Sequence, residues 1–283
     1  MSLISKTTIL RSEGSVLGNI PVSSGLLRLD LELDQPVGFL PGQFAMLNLT
    51  GPLGLVFSRP FSILASDGDV LSFLYRVVGR GTSVMADLTP TAAMNCLGPL
   101  GRPFPEPDPD TPTVLIGGGV GLPPVAAWYA RYGRARDTAF FGARDCQDVP
   151  WDLLDERWRI SVDRMTELPA GREAWQGLVT ELVDRDPELK APGKRRVLAC
   201  GPMPLLRAAA RLAAERRWTC YLSLEEHMGC GYGVCKGCVV PVLEPAAGAD
   251  GVRNATCCQE GPVFRAEDIA WQRPGYPSFE QVD

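Results

Sequence analysis

The segment Thr111–Ala130, TPTVLIGGGVGLPPVAAWYA, decides how the chain is read. It carries no charged residue, and a run this long can span a bilayer. Its punctuation argues otherwise. Gly117, Gly118, Gly119 and Gly121 interrupt the apolar run, and Pro123 and Pro124 follow at once. The pattern predicts a short buried strand at Val114–Ile116, a glycine turn, and a helix over Pro123–Arg131, because proline suits the first helical turn. Glycines between a strand and a helix start let the backbone approach a pyrophosphate at the helix N-terminus. The spacing is G-x-G-x-G rather than the full G-x-G-x-x-G, and a tight structural turn has the same composition.

Downstream the rhythm is strand and helix in alternation. Thr138–Phe141 and Arg196–Ala199 read as strands and Met203–Glu215 as a helix, the βαβ pattern of an open parallel sheet. Upstream the first hundred residues read as β. Leu26–Leu33 alternates apolar and polar side chains, and Gln43–Leu49 and Val70–Val78 are further strands separated by Gly and Pro. Short, closely spaced strands suggest a sandwich or small barrel. Residues 102–112, with five prolines, form a stiff connection. From about Tyr221 the chain turns rich in Cys and Gly. The expected fold is therefore multidomain, β followed by α/β, over residues 1–105, 106–220 and a small C-terminal unit, 221–283.

The 283 residues carry a net charge of −5, which suggests no nucleic-acid or anionic-membrane surface, and no membrane insertion is expected. Nine cysteines would suit a secreted disulfide scaffold, but the N-terminal residues MSLISKTTILRSEG lack an apolar signal core. The thiols are expected to stay reduced, in a cytoplasmic protein, and a cluster of them to bind metal.

That cluster is Cys230-GYGV-Cys235-KG-Cys238, followed after nineteen residues by Cys258. The C-x4-C-x2-C…C spacing is that of plant-type [2Fe–2S] ligation. Two irons need four converging thiolates. Gly229, Gly231, Gly233 and Gly237 let one loop supply three of them and leave N–H groups free to point at sulfur. The chain's one histidine, His227, excludes a Rieske centre, which needs two. A zinc site of three cysteines and His227, in a binding protein with no redox role, stays open. So does the choice between Cys257 and Cys258, whose side chains would point opposite ways in an extended segment. Cys96, Cys146, Cys200 and Cys220 are isolated and read mostly as small buried hydrophobes.

In the β region, Arg59-Pro60-Phe61-Ser62, Leu74-Tyr75-Arg76 and Gly81-Thr82 form a second candidate site. Arg59 and Arg76 suit bidentate contacts to a diphosphate. Tyr75 could flank a ring system, Ser62 bond a flavin edge, and Gly81 and Thr82 offer N–H and hydroxyl donors. Surface arginines and turn glycines are equally common without any ligand. Arg144, after the second α/β strand, could meet a 2′-phosphate and could equally be a solvated turn residue.

Taken together, these residues resemble the ferredoxin–NADP reductase superfamily, and within it the electron-transfer subunits of NAD-dependent dihydroorotate dehydrogenase. Pro41-Gly-Gln-Phe44 is similar to the family's P-G-Q-F strand, and residues 59–62, 74–76 and 81–82 to its successive flavin contacts. Leu97–Gly101 resembles its L-G-P-L-G turn, Cys200-Gly201-Pro202 its C-G-P element beside the nicotinamide, and Cys258–Phe264 its closing C-x-D-G-P-V-F. The last match selects Cys258 as fourth ligand. Glu260 replaces the usual Asp, the loop from Cys238 to Cys258 is long, and the double cysteine is unusual. The resemblance implies FAD in an antiparallel barrel, NAD(H) on the α/β domain and a [2Fe–2S] cluster near the C-terminus. It implies hydride transfer from nicotinamide to flavin, with Ser62 and Cys200 tuning and packing the reacting rings, and single electrons leaving through the cluster. The implied partner is an FMN-containing dihydroorotate dehydrogenase catalytic subunit, since no orotate-binding pattern occurs here. A related reductase serving a hydrogenase, a ferredoxin or an oxygenase shares the same motifs.

Overall fold

The computed structural model describes residues 9–49, 58–246 and 251–273. Six strands close an antiparallel barrel in the order β1-β2-β5-β4-β3-β6. They are β1 (Leu10–Pro21), β2 (Leu27–Leu33), β3 (Phe44–Leu49), β4 (Arg59–Asp67), β5 (Val70–Tyr75) and β6 (Ala93–Leu100), with helix α1 (Arg80–Ala86) between the last two. Alternation is visible in β2, where Leu29, Leu31 and Leu33 turn inward onto Ile63, Leu71 and Phe73. Three of these strands escape the sequence reading for identifiable reasons. β1 has a register shift between Val16 and Gly18 that breaks its period. β4 opens on Arg59-Pro60, and β6 runs through Gly98-Pro99, which reads as a turn. Gly81 and Thr82 lie in α1 rather than in a turn between strands.

The second sheet has the order β10-β9-β8-β7-β11-β12-β15, parallel except at β15. Its members are β7 (Thr113–Gly118), β8 (Thr138–Asp145), β9 (Trp158–Arg164), β10 (Trp175–Gln176), β11 (Arg196–Cys200), β12 (Thr219–Ser223) and β15 (Val263–Arg265). Helices α2 (Leu122–Tyr132), α3 (Val179–Arg185), α4 (Pro187–Lys190) and α5 (Met203–Glu215) accompany it. Thr111–Ala130 is thus split between β7 and α2, with the turn at residues 119–121 between them. None of the described helices is long and apolar enough to cross a membrane.

The chain runs outward from β7 through β8, β9 and β10, then returns to the other side of β7 as β11. The strand order therefore reverses between β7 and β11, and ligands of open α/β sheets bind at the carboxyl ends of the strands flanking such a reversal. Gly117–Gly121 spans the end of β7 and the turn after it, and Cys200-Gly201-Pro202 spans the end of β11 and its turn, so both motifs stand at that crevice.

The long loop between Cys238 and Cys258 is largely a hairpin, β13 (Val239–Leu243) with β14 (Val252–Thr256), followed by the single-turn helix α6 (Cys257–Glu260). This end of the chain is sewn into the rest. β15 pairs with β12, Arg102 bridges Pro262, and Cys238, Val240, Cys257 and Phe264 share one apolar core with Phe44, Met46 and Leu100 of the barrel. The P-G-Q-F, L-G-P-L-G and closing G-P-V-F segments meet here. Gln43 Nε2 donates to the Gly101 carbonyl at 3.1 Å, and Arg102 N donates to the Gly261 carbonyl at 2.6 Å.

Candidate cluster and nucleotide sites

The cysteine loop closes on backbone donors. Cys235 N donates to Cys230 Sγ at 3.5 Å, Gly233 N to Cys258 Sγ at 3.1 Å and Cys258 N to Cys238 Sγ at 3.4 Å. Gly231 and Gly233 hold φ of 82° and 85°, a region that favours glycine. Neither has room for a side chain: a Cβ on Gly231 would lie 2.4 Å from Met46 Cγ, and one on Gly233 2.5 Å from Gln259 Oε1. The loop is thereby pressed against barrel strand β3 on one side and α6 on the other.

The four thiols form two pairs. The backbone N–H of Cys235 ties it to Cys230 Sγ, and that of Cys258 ties it to Cys238 Sγ. Partial burial works to raise Cys230, but N–H groups of Cys235, Tyr232 and Val234 outweigh it and bring it down to about 6. Cys258 is pushed up to about 12, first by burial and then by Cys238. A metal ligated there would have to expel the Cys258 proton on binding. Among the described residues no three His, Cys, Asp or Glu side chains converge closely enough to hold one metal ion. Two pairs of thiols match the donor requirement of two irons, two thiolates each.

Cys257 points elsewhere. Its Sγ donates to the Leu224 carbonyl at 3.7 Å, and burial raises its thiol well above the usual range. The two neighbours lie in helix α6, not in the extended segment the sequence suggests, so their side chains diverge by about 100° rather than by half a turn. Cys96, Cys146, Cys200 and Cys220 are all buried. Burial pushes Cys96 and Cys220 up to about 12 and Cys200 higher still, so these stay thiols at neutral pH.

At the crevice, Cys200 pairs in register with Gly117 on one side and Ser223 on the other. Gly121 is the tightest point: a Cβ there would lie 2.5 Å from the Cys200 carbonyl carbon and oxygen and from Gly201 N. A Cβ on Gly118 would meet Leu205 Cδ1 at 2.5 Å, while Gly119, at φ 53°, is open apart from the Arg76 guanidinium 4.0 Å away. Arg76, just past β5 of the barrel, thus reaches the glycine loop of the α/β sheet. The two motifs that the sequence assigns to phosphates face each other.

On the barrel, Arg59 lies flat on Gly81, its guanidinium where a Cβ would stand at 2.1 Å. Ser62 is half-buried opposite Phe44, next to Phe61. Two expectations change. Tyr75 does not flank an open surface: it is 1% exposed, and its hydroxyl donates to Asn19 Oδ1 at 2.9 Å. Leu74 is likewise buried, on the opposite side of the strand. The half-exposed ring is Phe61, which Tyr75 supports edge-on at 6.1 Å. The Thr82 hydroxyl is also occupied, accepting from Val78 N and Gly79 N and donating to the Gly79 carbonyl. It caps α1, leaving the Arg59–Gly81 contact as the feature that shapes this end of the site. Pro60 follows Arg59 in β4, paired with Met46.

Glu226 carries no motif in the sequence. Its Oε1 is buried with no hydrogen-bond partner, and burial pushes its carboxyl up to about 7. A Glu-Glu pair reads as solvated, and no local signal distinguishes it.

A closed barrel, a parallel sheet with its crevice facing that barrel, and a C-terminal loop of paired thiols define a flavin-reductase-type oxidoreductase. The same fold occurs in a structure of an NADH-dependent reduced ferredoxin–NADP oxidoreductase, with TM-score 0.71 at 20% identity over 91% of this chain and 90% of that one. A ferredoxin reductase of carbazole 1,9a-dioxygenase matches with TM-score 0.62 at 24% identity, covering 75% and 68%. A family model, the iron–sulfur cluster binding domain of dihydroorotate dehydrogenase B, matches residues 225–270. Dihydroorotate dehydrogenase B (NAD(+)) electron transfer subunits are similar over most of their length. That of Geobacillus kaustophilus is 33% identical over 81% of this chain and 86% of its own. That of Listeria innocua is 31% identical over 93% and 100%. The chain belongs to the family of dihydroorotate dehydrogenase B electron transfer subunits.

Proposed function

We propose that this chain carries electrons between NAD(H) and a dihydroorotate dehydrogenase catalytic subunit through FAD and a [2Fe–2S] cluster. The observation that carries the reading is the pairing of four thiols on a loop packed against the same barrel that presents Arg59, Phe61, Ser62 and Arg76. When bound, FAD accepts a hydride and releases electrons singly, and the cluster relays them. The protein's part is placement. Arg59, set by Gly81, and Arg76 hold the diphosphate. Phe61, braced by Tyr75, lies under the ring system with Pro60 at its strand start, and Ser62 bonds the ring edge. Gly117, Gly118, Gly119 and Gly121 carry the nicotinamide nucleotide's phosphates, and the neutral Cys200 thiol packs against the nicotinamide. Leu74 and Thr82 support this site from behind. Cys230, Cys235, Cys238 and Cys258 hold the irons, and electrons leave past exposed Cys235, Tyr232 and Val234.

On this reading residues 1–105 hold FAD, 106–220 the nicotinamide nucleotide and 221–283 the cluster. Nine free thiols need a reducing compartment, and we place the protein in the cytoplasm. The family relationship favours the dihydroorotate dehydrogenase partner over a hydrogenase, ferredoxin or oxygenase.

The purified chain is expected to show flavin and iron–sulfur absorption and to oxidise NADH with artificial acceptors. Dihydroorotate turnover should require the catalytic subunit. Turnover by the isolated chain, or a sample with zinc and no iron, refutes the reading. Gly81→Ala tests the flavin site. The added methyl meets the end of a flexible side chain, so Arg59 swings away while the fold changes by less than ~1 kcal/mol. Losing one bidentate contact should weaken FAD binding by about tenfold or more, measured as flavin retained on gel filtration. Unchanged FAD affinity would remove Arg59 from the diphosphate site.

A further inference from the structure

We propose that Glu260 is a positioning residue for the cluster: it holds the Cys258 N–H on Cys238 Sγ and so raises the potential at which the cluster accepts its electron. The inference rests on the cluster proposed above and concerns a residue outside its ligand set. Where β14 becomes α6, three successive N–H groups leave the chain. Thr256 N donates to Glu260 Oε1 at 3.0 Å, Cys257 N to the Cys238 carbonyl at 2.6 Å and Cys258 N to Cys238 Sγ at 3.4 Å. The second and third fasten Cys238 to the start of α6 through backbone donors. The first fixes the turn from which those donors project.

A single helical turn does not hold itself, because its first N–H and last C=O groups find no partner within it. The residue at its start does not cap it: the Thr256 hydroxyl is buried, and among the described residues it has no hydrogen-bond partner. Glu260, at the far end of α6, reaches back over the turn instead. Its other oxygen, Oε2, pairs with Arg253 Nη1 at 2.7 Å, and Arg253 Nε pairs with Glu244. Arg253 lies in β14 and Glu244 just past β13, so the carboxylate ties α6 to both sides of the hairpin. Thr256 is only 4% exposed. Without the carboxylate its N–H has little water to turn to, and the turn must shift to satisfy it. The N–H groups of Cys257 and Cys258 shift with it. A hydrogen bond donated to a cluster sulfur favours the more negative, reduced form, so a loosened turn lowers the potential. The charge of the carboxylate acts the other way, since removing a negative group by itself makes reduction easier. The two effects differ in sign.

The test uses the full chain with its FAD and cluster, and reads the cluster potential by electron paramagnetic resonance during a reductive titration. Glu260→Ala should be harder to reduce by about tenfold in the equilibrium constant, equivalent to ~59 mV for one electron. Glu260→Gln keeps an oxygen for Thr256 N and should not fall below wild type. An unchanged or raised potential in Glu260→Ala overturns the proposal, as does a Glu260→Gln protein shifted down as far as the alanine variant. Should Glu260→Ala lose its iron, retention by Glu260→Gln supports the proposal and loss from both overturns it. Wild-type protein purified without iron would instead overturn the proposed function itself.

Discussion

Cys258→Ser should strip the chain of iron, while Cys257→Ser should leave the cluster in place. The residues are neighbours, and the substitution is the same. What differs is where each sulfur points. Cys258 Sγ accepts from Gly233 N inside the glycine loop, and Cys258 N donates to Cys238 Sγ, its partner in the proposed cluster. Serine there removes one of four thiolates, and hydroxyl oxygen is a poor match for iron–sulfur chemistry. Cys257 Sγ faces the Leu224 carbonyl in the apolar core. A serine hydroxyl can donate to that same carbonyl, so the cost is a modest ~1 kcal/mol of stability. Iron and sulfide analysis with the visible spectrum separates the variants. Equal loss of iron in both, or retention in Cys258→Ser, would reassign the fourth ligand. Because the flavin motifs lie on the barrel, Cys258→Ser should still bind FAD, which distinguishes loss of the cluster from loss of the fold.

Gly121→Ala should abolish productive nucleotide binding and destabilise the sheet. The new methyl would stand 2.5 Å from three backbone atoms of Cys200 and Gly201. No side chain can rotate away, so the loop after β7 and the turn after β11 must separate. Overpacking costs ~1–3 kcal/mol in ordinary cores, and a clash with backbone belongs at the top of that range. The displacement falls at the strand-order reversal, where the phosphate loop and the Cys200 thiol must stay in register. The expected outcome is a lower thermal midpoint and loss of NADH-dependent flavin reduction, with the flavin and iron contents retained. A Gly121→Ala protein that reduces its flavin at the wild-type rate would show that this contact does not shape the site.

The fragile part of the site is therefore a packing relation between two short motifs, and each motif is visible in the sequence by itself. Spacing rules make the cysteine loop readable, because one curled loop must supply three thiolates and glycine must permit its turns. The strand, glycine turn and proline-led helix of Thr111–Ala130 are readable for the same reason: their signals lie within a few residues of one another. Composition likewise marked the β and α/β portions, although Gly and Pro within β1, β4 and β6 hid those strands.

Other features depended on contacts between distant residues. Tyr75 and Phe61 sit on different strands, and only their packing shows which ring is open. Thr82 looked like a ligand donor until α1 formed around its hydroxyl. Arg59 meets Gly81 and Gly121 meets Cys200, each pair well separated along the chain. Local sequence determined which chemistries the chain could perform, because thiolates, guanidiniums and turn glycines act through residue type and short spacing. Spacing left the 257–258 pair open and the closing motif selected Cys258; tertiary structure gave the physical reason and alone decided which ring and which hydroxyl stay open, because burial and hydrogen bonding are set by neighbours that only folding brings together.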